Sequence, residues 1–163
     1  MNNIYLIGMP GCGKSTIGKI LSKALNMQVI DSDTYLENKY NDTIPNIFET
    51  KGEADFRQKE TSTIEELSKK DNLIVSTGGG VVVTYKNKDI MKKSGTVVFI
   101  DSHPEVILSN SSLGGRPLLK DKNRIFDLYN QRIELYREFA DVTIDNNGSL
   151  DAAVNQIINY FNK

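Results

Sequence analysis

The sequence predicts an α/β protein with three layers: a doubly wound sheet of five parallel strands between two layers of helices. Short apolar runs rich in β-branched residues recur five times, as expected of strands that are buried on both faces. They are residues 4–7, 28–30, 73–76, 96–100 and 141–144. Helical patterns lie between these runs, and such alternation favours a parallel sheet with right-handed crossovers. The chain has 163 residues, about the length of one domain, so we expect residues 1–163 to form a single one.

The helical segments follow in order along the chain. After the first strand, apolar residues recur with the spacing of one helix face. They are Ile17, Ile20, Leu21, Ala24 and Leu25. This pattern predicts a helix that begins at residue 14 or 15. Longer helical patterns cover residues 53–69 and 123–139, and a closing helix is predicted at residues 150–161.

Two segments interrupt the simple alternation of strands and helices. About forty residues of mostly helical pattern separate the second and third strands, which is too many for a plain crossover. We expect part of this insertion, about residues 32–61, to bind a substrate. Residues 109–122 are polar and rich in glycine and serine. They predict a mobile lid.

Composition narrows the class of protein. The chain carries 20 basic and 21 acidic residues, a balance that argues against a broad nucleic-acid or membrane surface. The single cysteine, Cys12, excludes an internal disulfide and fits a reducing compartment. No apolar stretch approaches the roughly 20 residues that span a bilayer. We expect a cytoplasmic protein with no nucleic-acid or membrane partner, and nothing in the sequence demands a second subunit, so we expect a monomer.

The strongest motif follows the first strand. Residues 8–15, GMPGCGKS, match the phosphate loop G-x-x-x-x-G-K-[ST] at every fixed position. Backbone N–H groups of such a loop surround an anion, and the N-terminus of the next helix adds partial positive charge. Lys14 would reach the outer phosphates and Ser15 would bind Mg²⁺. The alternative is a strand-to-helix turn with an incidental lysine.

Two acidic residues follow the second strand. Asp31 and Asp33 come at the carboxyl end of that strand, where ligands collect in doubly wound sheets. If the segment is extended, alternate residues share a side, so both carboxylates would face the phosphate loop. One carboxylate beside Mg²⁺ and one accepting a hydrogen bond from an attacking hydroxyl would suit phosphoryl transfer. Asp33 has a second interpretation, as the N-cap of a helix starting at Thr34.

Two arginines and a run of glycines are further candidates. Arg57 lies in the long helix of the insertion, where it can instead pair with Glu53 or Glu60. Residues 78–80 are three glycines after the third strand, and they allow a ligand to approach the main chain closely. Arg132 can bind a substrate carboxylate, although a solvated helix arginine is the common alternative.

Arg116 and Tyr136 complete the set. Arg116 precedes Pro117 inside the expected lid, so closure would bring a guanidinium to the transferring phosphoryl group. Tyr136 lies four residues after Arg132 and shares its helix face.

Taken together, these motifs resemble those of the shikimate kinase family in order and spacing, over essentially the whole chain. The resemblance implies a P-loop kinase fold of the nucleoside-monophosphate-kinase type. It also implies an ATP- and Mg²⁺-dependent enzyme that phosphorylates the 3-hydroxyl of shikimate on the route to chorismate and the aromatic amino acids.

The family resemblance also implies roles for single residues. Shikimate would be held by Asp33, Arg57, Gly79, Gly80 and Arg132. The catalytic residues would be Asp33, Lys14 and Arg116. The ATP contacts would come from Gly11, Cys12, Gly13, Lys14, Ser15, Thr16 and Arg116. Mg²⁺ would be held by Ser15 and, through water, Asp31.

One stretch departs from the family pattern. Many members carry an adenine-clamping arginine several residues before the Arg-Pro pair, whereas residues 108–111 here read LSNS. Residues 146–148 are a candidate for contacts to the adenine edge. Two other functions stay open: a small P-loop kinase acting on gluconate or a nucleoside monophosphate, and a nucleotide-binding sensor without catalysis. The Asp-x-Asp, Phe-Arg and triple-glycine combination speaks against the first, and retention of Lys14, Asp33 and Arg116 against the second.

Overall fold

Five parallel strands form one sheet in the order β2-β3-β1-β4-β5 in a computed structural model, which describes residues 2–109 and 119–163. The strands are β1 (Asn3–Ile7), β2 (Gln28–Asp31), β3 (Leu73–Ser76), β4 (Gly95–Asp101) and β5 (Val142–Asp145). Every pairing is parallel. The predicted sheet is therefore confirmed.

Eight helices connect and cover the strands in the described residues. They are α1 (Lys14–Leu25), α2 (Ser32–Tyr40), α3 (Ile44–Lys51), α4 (Glu53–Ser68), α5 (Lys86–Ser94), α6 (Pro104–Ser109), α7 (Leu119–Phe139) and α8 (Leu150–Phe161), with a 3-10 turn at Val81–Val83. On one side of the sheet α1 packs against α8, and on the other α4 packs against α5. Among these, none is both long and apolar enough to cross a bilayer.

The position of β1 in the middle of the sheet accounts for its continuous apolar sequence. β1 pairs with β3 on one edge and β4 on the other, and helices cover both faces, so residues 4–7 are completely buried. A strand buried on both faces has no polar side and shows no alternation. Gly18 lets α1 lie close to the sheet, since a Cβ there would come within 3.1 Å of Val29 Cγ2.

The carboxyl ends of all five strands meet at one edge of the sheet. Asp31 lies beside Ser76 in the register, and Asp101 beside Asp145. The phosphate loop follows β1 at the same edge. The sheet thus gathers the polar candidates from distant parts of the sequence.

The insertion after β2 is helical, as expected. It contains α2, α3 and most of α4, and a small core of Leu36, Ile47 and Phe56 holds the three helices together. The expected lid, residues 109–122, overlaps the end of α6 and the start of α7, which begins at Leu119 rather than at residue 123. Residues 110–118 of that lid, including Arg116, lie outside the described residues.

Candidate active site

The phosphate loop runs from the end of β1 into α1 through left-handed backbone. Gly11 and Gly13 have φ of 79° and 101°, which residues with a Cβ rarely adopt. Gly13 is the N-cap of α1 and has no side chain with which to cap the helix. The first N–H groups of α1 therefore face the loop unpaired by a cap, and this leaves donors for an anion.

Lys14 closes the loop from within. Only 8% of its surface is exposed, and its ammonium donates to the carbonyl oxygens of Gly8 (2.8 Å) and Met9 (2.9 Å). Cys12 Sγ lies 3.7 Å from the same nitrogen. The predicted cradle is thus built around a nearly buried positive charge. A phosphate in the loop would meet that charge in surroundings that screen it far less than water does.

The loop after β5 is tied to the phosphate loop. Asn146 Nδ2 donates to the Cys12 carbonyl oxygen at 2.8 Å, and the Ser102 hydroxyl contacts the same oxygen at 3.4 Å. Cys12 is 3% exposed, and both of these contacts are made by its backbone carbonyl oxygen and not by its thiol. That residues 146–148 contact the adenine edge stays a prediction.

Asp31 bridges the phosphate loop and the insertion. Its Oδ2 accepts a hydrogen bond from the Ser15 hydroxyl at 3.3 Å, and its Oδ1 accepts from the Thr34 N–H at 3.0 Å. Asp31 is therefore the N-cap of α2, which begins at Ser32. The alternative interpretation of Asp33 as a cap is wrong, because the helix starts two residues earlier than Thr34.

Asp33 lies in the first turn of α2, not in an extended segment. The argument from alternate strand residues is therefore wrong, but the carboxylate still faces the site. Burial raises the pKa of Asp33 above its usual value, and the Asp31 carboxylate raises it further, while Lys14 partly offsets both. A raised pKa makes a carboxylate a better proton acceptor.

The three glycines after β3 each leave room for a different group. A Cβ on Gly78 would lie 2.7 Å from Asp33 Oδ1, and one on Gly79 would lie 2.6 Å from the Pro10 ring. A Cβ on Gly80 would lie 2.5 Å from an Arg57 nitrogen. Real Cβ contacts are essentially never this short. The segment is bare because the phosphate loop and two charged side chains press against it.

Arg57 reaches this segment from α4. Its guanidinium donates to the Gly80 carbonyl oxygen at 3.0 Å and pairs with Glu60 at 3.0 Å and Glu53 at 3.3 Å. The ion pairs that sequence reasoning offered as an alternative are therefore present, and they hold the guanidinium against the site. The central guanidinium carbon of Arg57, Cζ, lies 5.1 Å from the centre of the Phe56 ring.

Arg132 and Tyr136 approach from α7. Tyr136 is fully buried and stacks on Phe99 of β4 with ring centres 5.0 Å apart. Its hydroxyl donates to the Gly79 carbonyl oxygen at 2.6 Å. Burial raises the pKa of Tyr136 to about 12, against the opposing effect of the neighbouring Arg132. Arg132 is half-buried one helical turn earlier.

Phe48 is an exposed aromatic residue near Arg57's neighbour Phe56, and the sequence analysis did not single it out. It is 38% exposed on α3, and its ring centre lies 4.8 Å from that of Phe56. The aromatic pair lies next to Arg57, whose guanidinium is 5.1 Å from the Phe56 ring centre. The available signal was a phenylalanine at position 48 within the predicted substrate-binding insertion.

Ser15 and Asp31 offer a hydroxyl and a carboxylate oxygen within 3.3 Å of each other. Oxygen ligands of this kind suit Mg²⁺, which keeps several waters and binds through substrate phosphates. In the part of the chain that the structure describes, no three acidic, histidine or cysteine side chains group together as a metal site. The donor set fits a metal that arrives with a nucleotide.

Glu60 makes stability depend on pH. It is 3% exposed, and burial raises its pKa from 4.5 to about 6 despite the Arg57 guanidinium. Its contribution to stability is complete below pH 4.5 and is lost as pH rises through about 6, a total of about 2 kcal/mol.

We expect the free energy of unfolding of the unmodified chain, minus that of Glu60→Gln, to fall by this amount between these pH values in urea titrations. The same difference for Glu49→Gln, at an exposed site on α3, should not fall in this way, and a rise for Glu60→Gln would mean that the ion pair outweighs burial.

The chain matches known proteins along nearly its whole length. Residues 10–162 match the family model described as shikimate kinase. A shikimate kinase of Clostridium botulinum is 43% identical over 157 residues, covering 96% of this chain and 94% of that protein. The structure of the Acinetobacter baumannii shikimate kinase in complex with shikimate has a TM-score of 0.89 and 35% identity, with 99% of this chain and 93% of that chain covered. The Aquifex aeolicus shikimate kinase structure has a TM-score of 0.83 and 37% identity, covering 98% and 96%.

Proposed function

The chain belongs to the shikimate kinase family, and we propose that it transfers the γ-phosphoryl group of ATP to the 3-hydroxyl of shikimate. The products are shikimate 3-phosphate and ADP, on the route to chorismate and the aromatic amino acids. One observation carries the assignment beyond family membership. The Asp33 carboxylate and the Arg57 guanidinium both press against the glycine segment 78–80, which itself touches Pro10 of the phosphate loop. The Asp33 carboxylate, the Arg57 guanidinium and the phosphate loop therefore all lie next to the same three residues.

ATP binds at the phosphate loop. The N–H groups of residue 11 and residues 13–16 surround the β- and γ-phosphates, and the Lys14 ammonium bonds to the γ-phosphate. The Cys12 N–H faces the same loop but donates to the Met9 carbonyl oxygen at 3.1 Å. The exposed hydroxyls of Ser15 and Thr16 lie at the start of α1, next to the phosphates. Lys14 is already fixed by the Gly8 and Met9 carbonyls, so little reorganisation is needed when charge develops.

Shikimate binds between α4, α7 and the glycine segment. The guanidinium groups of Arg57 and Arg132 bind its carboxylate, because planar forks of donors match carboxylate geometry. Gly79 and Gly80 offer backbone atoms to the ring, and Asp33 accepts a hydrogen bond from the 3-hydroxyl. Arg57 and Arg132 both act electrostatically on the buried Glu60, which supports their proximity.

In the transfer step the 3-hydroxyl oxygen forms a bond to the γ-phosphorus, and the bond from that phosphorus to the ADP oxygen breaks. The hydroxyl proton passes to the Asp33 carboxylate. The raised pKa of Asp33 favours that acceptance. Lys14 stabilises the charge on the moving phosphoryl oxygens.

Ser15 and, through water, Asp31 would hold the Mg²⁺ that accompanies ATP. When bound, the ion would neutralise charge on the β- and γ-phosphates. Family resemblance also supports Arg116, which lies outside the described residues, as a cation that the lid, residues 109–122, brings to the γ-phosphate.

The decisive test is turnover by the purified chain. We expect ATP-dependent formation of shikimate 3-phosphate, detected by mass spectrometry and by coupled ADP release. Gluconate and nucleoside monophosphates serve as competing acceptors in the same assay. Turnover of either without turnover of shikimate would overturn the proposal, and ATP binding without any transfer would favour a sensor.

We further propose that the chain works as a monomeric single domain in the cytoplasm. The lone cysteine and its burial in the phosphate loop support a reducing compartment. Light scattering at assay concentration tests the oligomeric state, and a mass of twice 18.3 kDa would contradict it.

Replacing Arg57 by alanine should weaken shikimate binding specifically. Loss of a charge-assisted hydrogen bond should raise the KM for shikimate about 10-fold to 100-fold. The KM for ATP should stay within about twofold, because the hydrogen bonds of Arg57 in the described residues go to Glu53, Glu60 and Gly80 and not to the phosphate loop. Steady-state kinetics with each substrate varied in turn measure the split.

Two controls sharpen the Arg57 experiment. Arg57→Ala leaves Glu60 buried without its partner, so Arg57→Ala with Glu60→Gln separates lost substrate binding from an unpaired buried charge. Arg137→Ala removes an arginine that is more than half exposed and paired with Glu134, and should leave both KM values unchanged. An unchanged KM for shikimate in the Arg57 variants would contradict the role of this residue.

A further inference from the structure

The three glycines of residues 78–80 have no side chains, so hydrogen bonds to their backbone must fix their position. The Gly78 carbonyl accepts from the Val81 N–H at 3.1 Å. The Gly80 carbonyl accepts from the Val83 N–H at 3.0 Å as well as from Arg57. The middle carbonyl, that of Gly79, accepts from the Tyr136 hydroxyl at 2.6 Å. Two of the three carbonyls are therefore satisfied by the local turn, and the third by a side chain 57 residues away.

Tyr136 is itself held rigidly. Its ring is fully buried and nearly parallel to Phe99, at 18°. Because its hydroxyl stays protonated at any ordinary pH, with a pKa of about 12, it remains a donor to Gly79. A short hydrogen bond from a fully buried, stacked ring therefore links α7 to the glycine segment.

The link matters because α7 also carries Arg132 one turn before Tyr136. The two residues share a helix face. The bond to Gly79 therefore sets the spacing between Arg132 and the glycine backbone, which under the proposed function contact shikimate from different sides. Arg57 fixes the neighbouring carbonyl from α4.

We propose that Tyr136 is a positioning residue for the acceptor substrate, acting by holding Gly79 and Arg132 in register without touching shikimate. This inference rests on the proposed function. Its chemistry is a single hydrogen bond: removing the hydroxyl leaves the Gly79 carbonyl without that donor and frees the segment to move relative to Arg132. Losing a donor is costly for a carbonyl at a partly buried site, so we expect the segment to shift towards another partner. Within the part of the chain that the structure describes, the Tyr136 hydroxyl donates to Gly79 and not to the phosphate loop, so the loop should keep its affinity for ATP.

Tyr136→Phe tests the inference because it removes one oxygen and keeps the ring stacked on Phe99. We expect the KM for shikimate to rise about fivefold or more and the KM for ATP to stay within about twofold. The matched control is Tyr129→Phe on the same helix, which removes a hydroxyl bond to Asp101 (3.2 Å) at the end of β4. That variant should change neither KM. Titration of shikimate into each protein without ATP gives a second measure of the same affinity.

The outcomes separate the two levels of the argument. Absence of shikimate turnover in the unmodified chain overturns the proposed function and this inference together. Turnover by the unmodified chain with an unchanged KM for shikimate in Tyr136→Phe overturns only the positioning role. A parallel rise in both KM values, or the same rise in Tyr129→Phe, also overturns it, since loosening of α7 as a whole would act in that way. Kinetics are run at a temperature at which circular dichroism shows each variant to be folded.

Discussion

Replacing Asp33 by asparagine is expected to lower kcat for shikimate phosphorylation about 10²–10⁴-fold, the usual contribution of a positioned proton acceptor. Asparagine has nearly the same shape and fits beside Gly78, but its amide cannot take the hydroxyl proton. ATP affinity should change little, because the phosphate cradle is built from other residues. Single-turnover kinetics with saturating substrates measure the chemical step directly.

A control for Asp33 comes from its own helix. Glu37 also contributes to the raised pKa of Asp33, but its carboxylate accepts a hydrogen bond from the Ile44 N–H at 2.9 Å. Glu37→Gln should keep kcat within about threefold of the unmodified chain. Near-normal kcat in Asp33→Asn would remove Asp33 from the proton-transfer role.

Replacing Lys14 by methionine is expected to lower kcat about 10²–10³-fold, as found when one donor to a developing negative charge is removed. Methionine keeps much of the buried stem and loses the ammonium that bonds to the Gly8 and Met9 carbonyls. We also expect weaker ATP binding, since the loop loses both a positive charge and the two bonds that set its curvature. Stopped-flow phosphoryl transfer and nucleotide titration measure the two effects separately.

Lys19→Met is the matched control for the charge, because Lys19 is an exposed lysine on the same helix. Its kcat should be unchanged. Shikimate binding to Lys14→Met, measured without ATP, should also be unchanged if the acceptor half of the site remains folded. A Lys14→Met variant with full kcat would rule out a role for the ammonium in transfer.

The parts of the site that the sequence predicted well are those formed by local chemistry. The phosphate loop needs only a strand, three glycines and a helix start, and all of these lie within residues 3–25. The third strand and α8 have the predicted bounds because Gly, Asn and Ser residues delimit their apolar patterns. The order of the strands in the sheet could not be predicted from such local patterns. The pairing of β1 with β4, for example, joins segments about ninety residues apart in the sequence.

The boundary between β2 and α2 was misplaced for a physical reason. Asp31 and Asp33 are both acceptable N-caps by residue type, and only the fold decides which carboxylate meets a free N–H group. Asp31 takes that role while it also accepts a bond from Ser15. Asp33 consequently points into the site from a helix rather than from a strand.

The glycine run shows what long-range packing adds. The sequence predicted a close approach to the backbone of residues 78–80 but could not say what approaches. The neighbours are Pro10, Asp33 and Arg57, which come from three separate segments of the chain. A local sequence pattern cannot predict contacts between segments that lie so far apart in the chain.

The crowding around Gly78, Gly79 and Gly80 also limits how acceptor choice can be redesigned. A methyl group would collide with the Pro10 ring at Gly79 and with the Asp33 carboxylate at Gly78, so these two positions are poor places to reshape the pocket. The guanidinium beside Gly80 is the end of a flexible side chain and can move away. A place better suited to change is Phe48 on α3, whose partly exposed ring packs on Phe56. We therefore expect libraries at position 48 to broaden the range of acceptors that are phosphorylated while ATP binding stays intact. Libraries at position 79 should lose both acceptor phosphorylation and ATP binding.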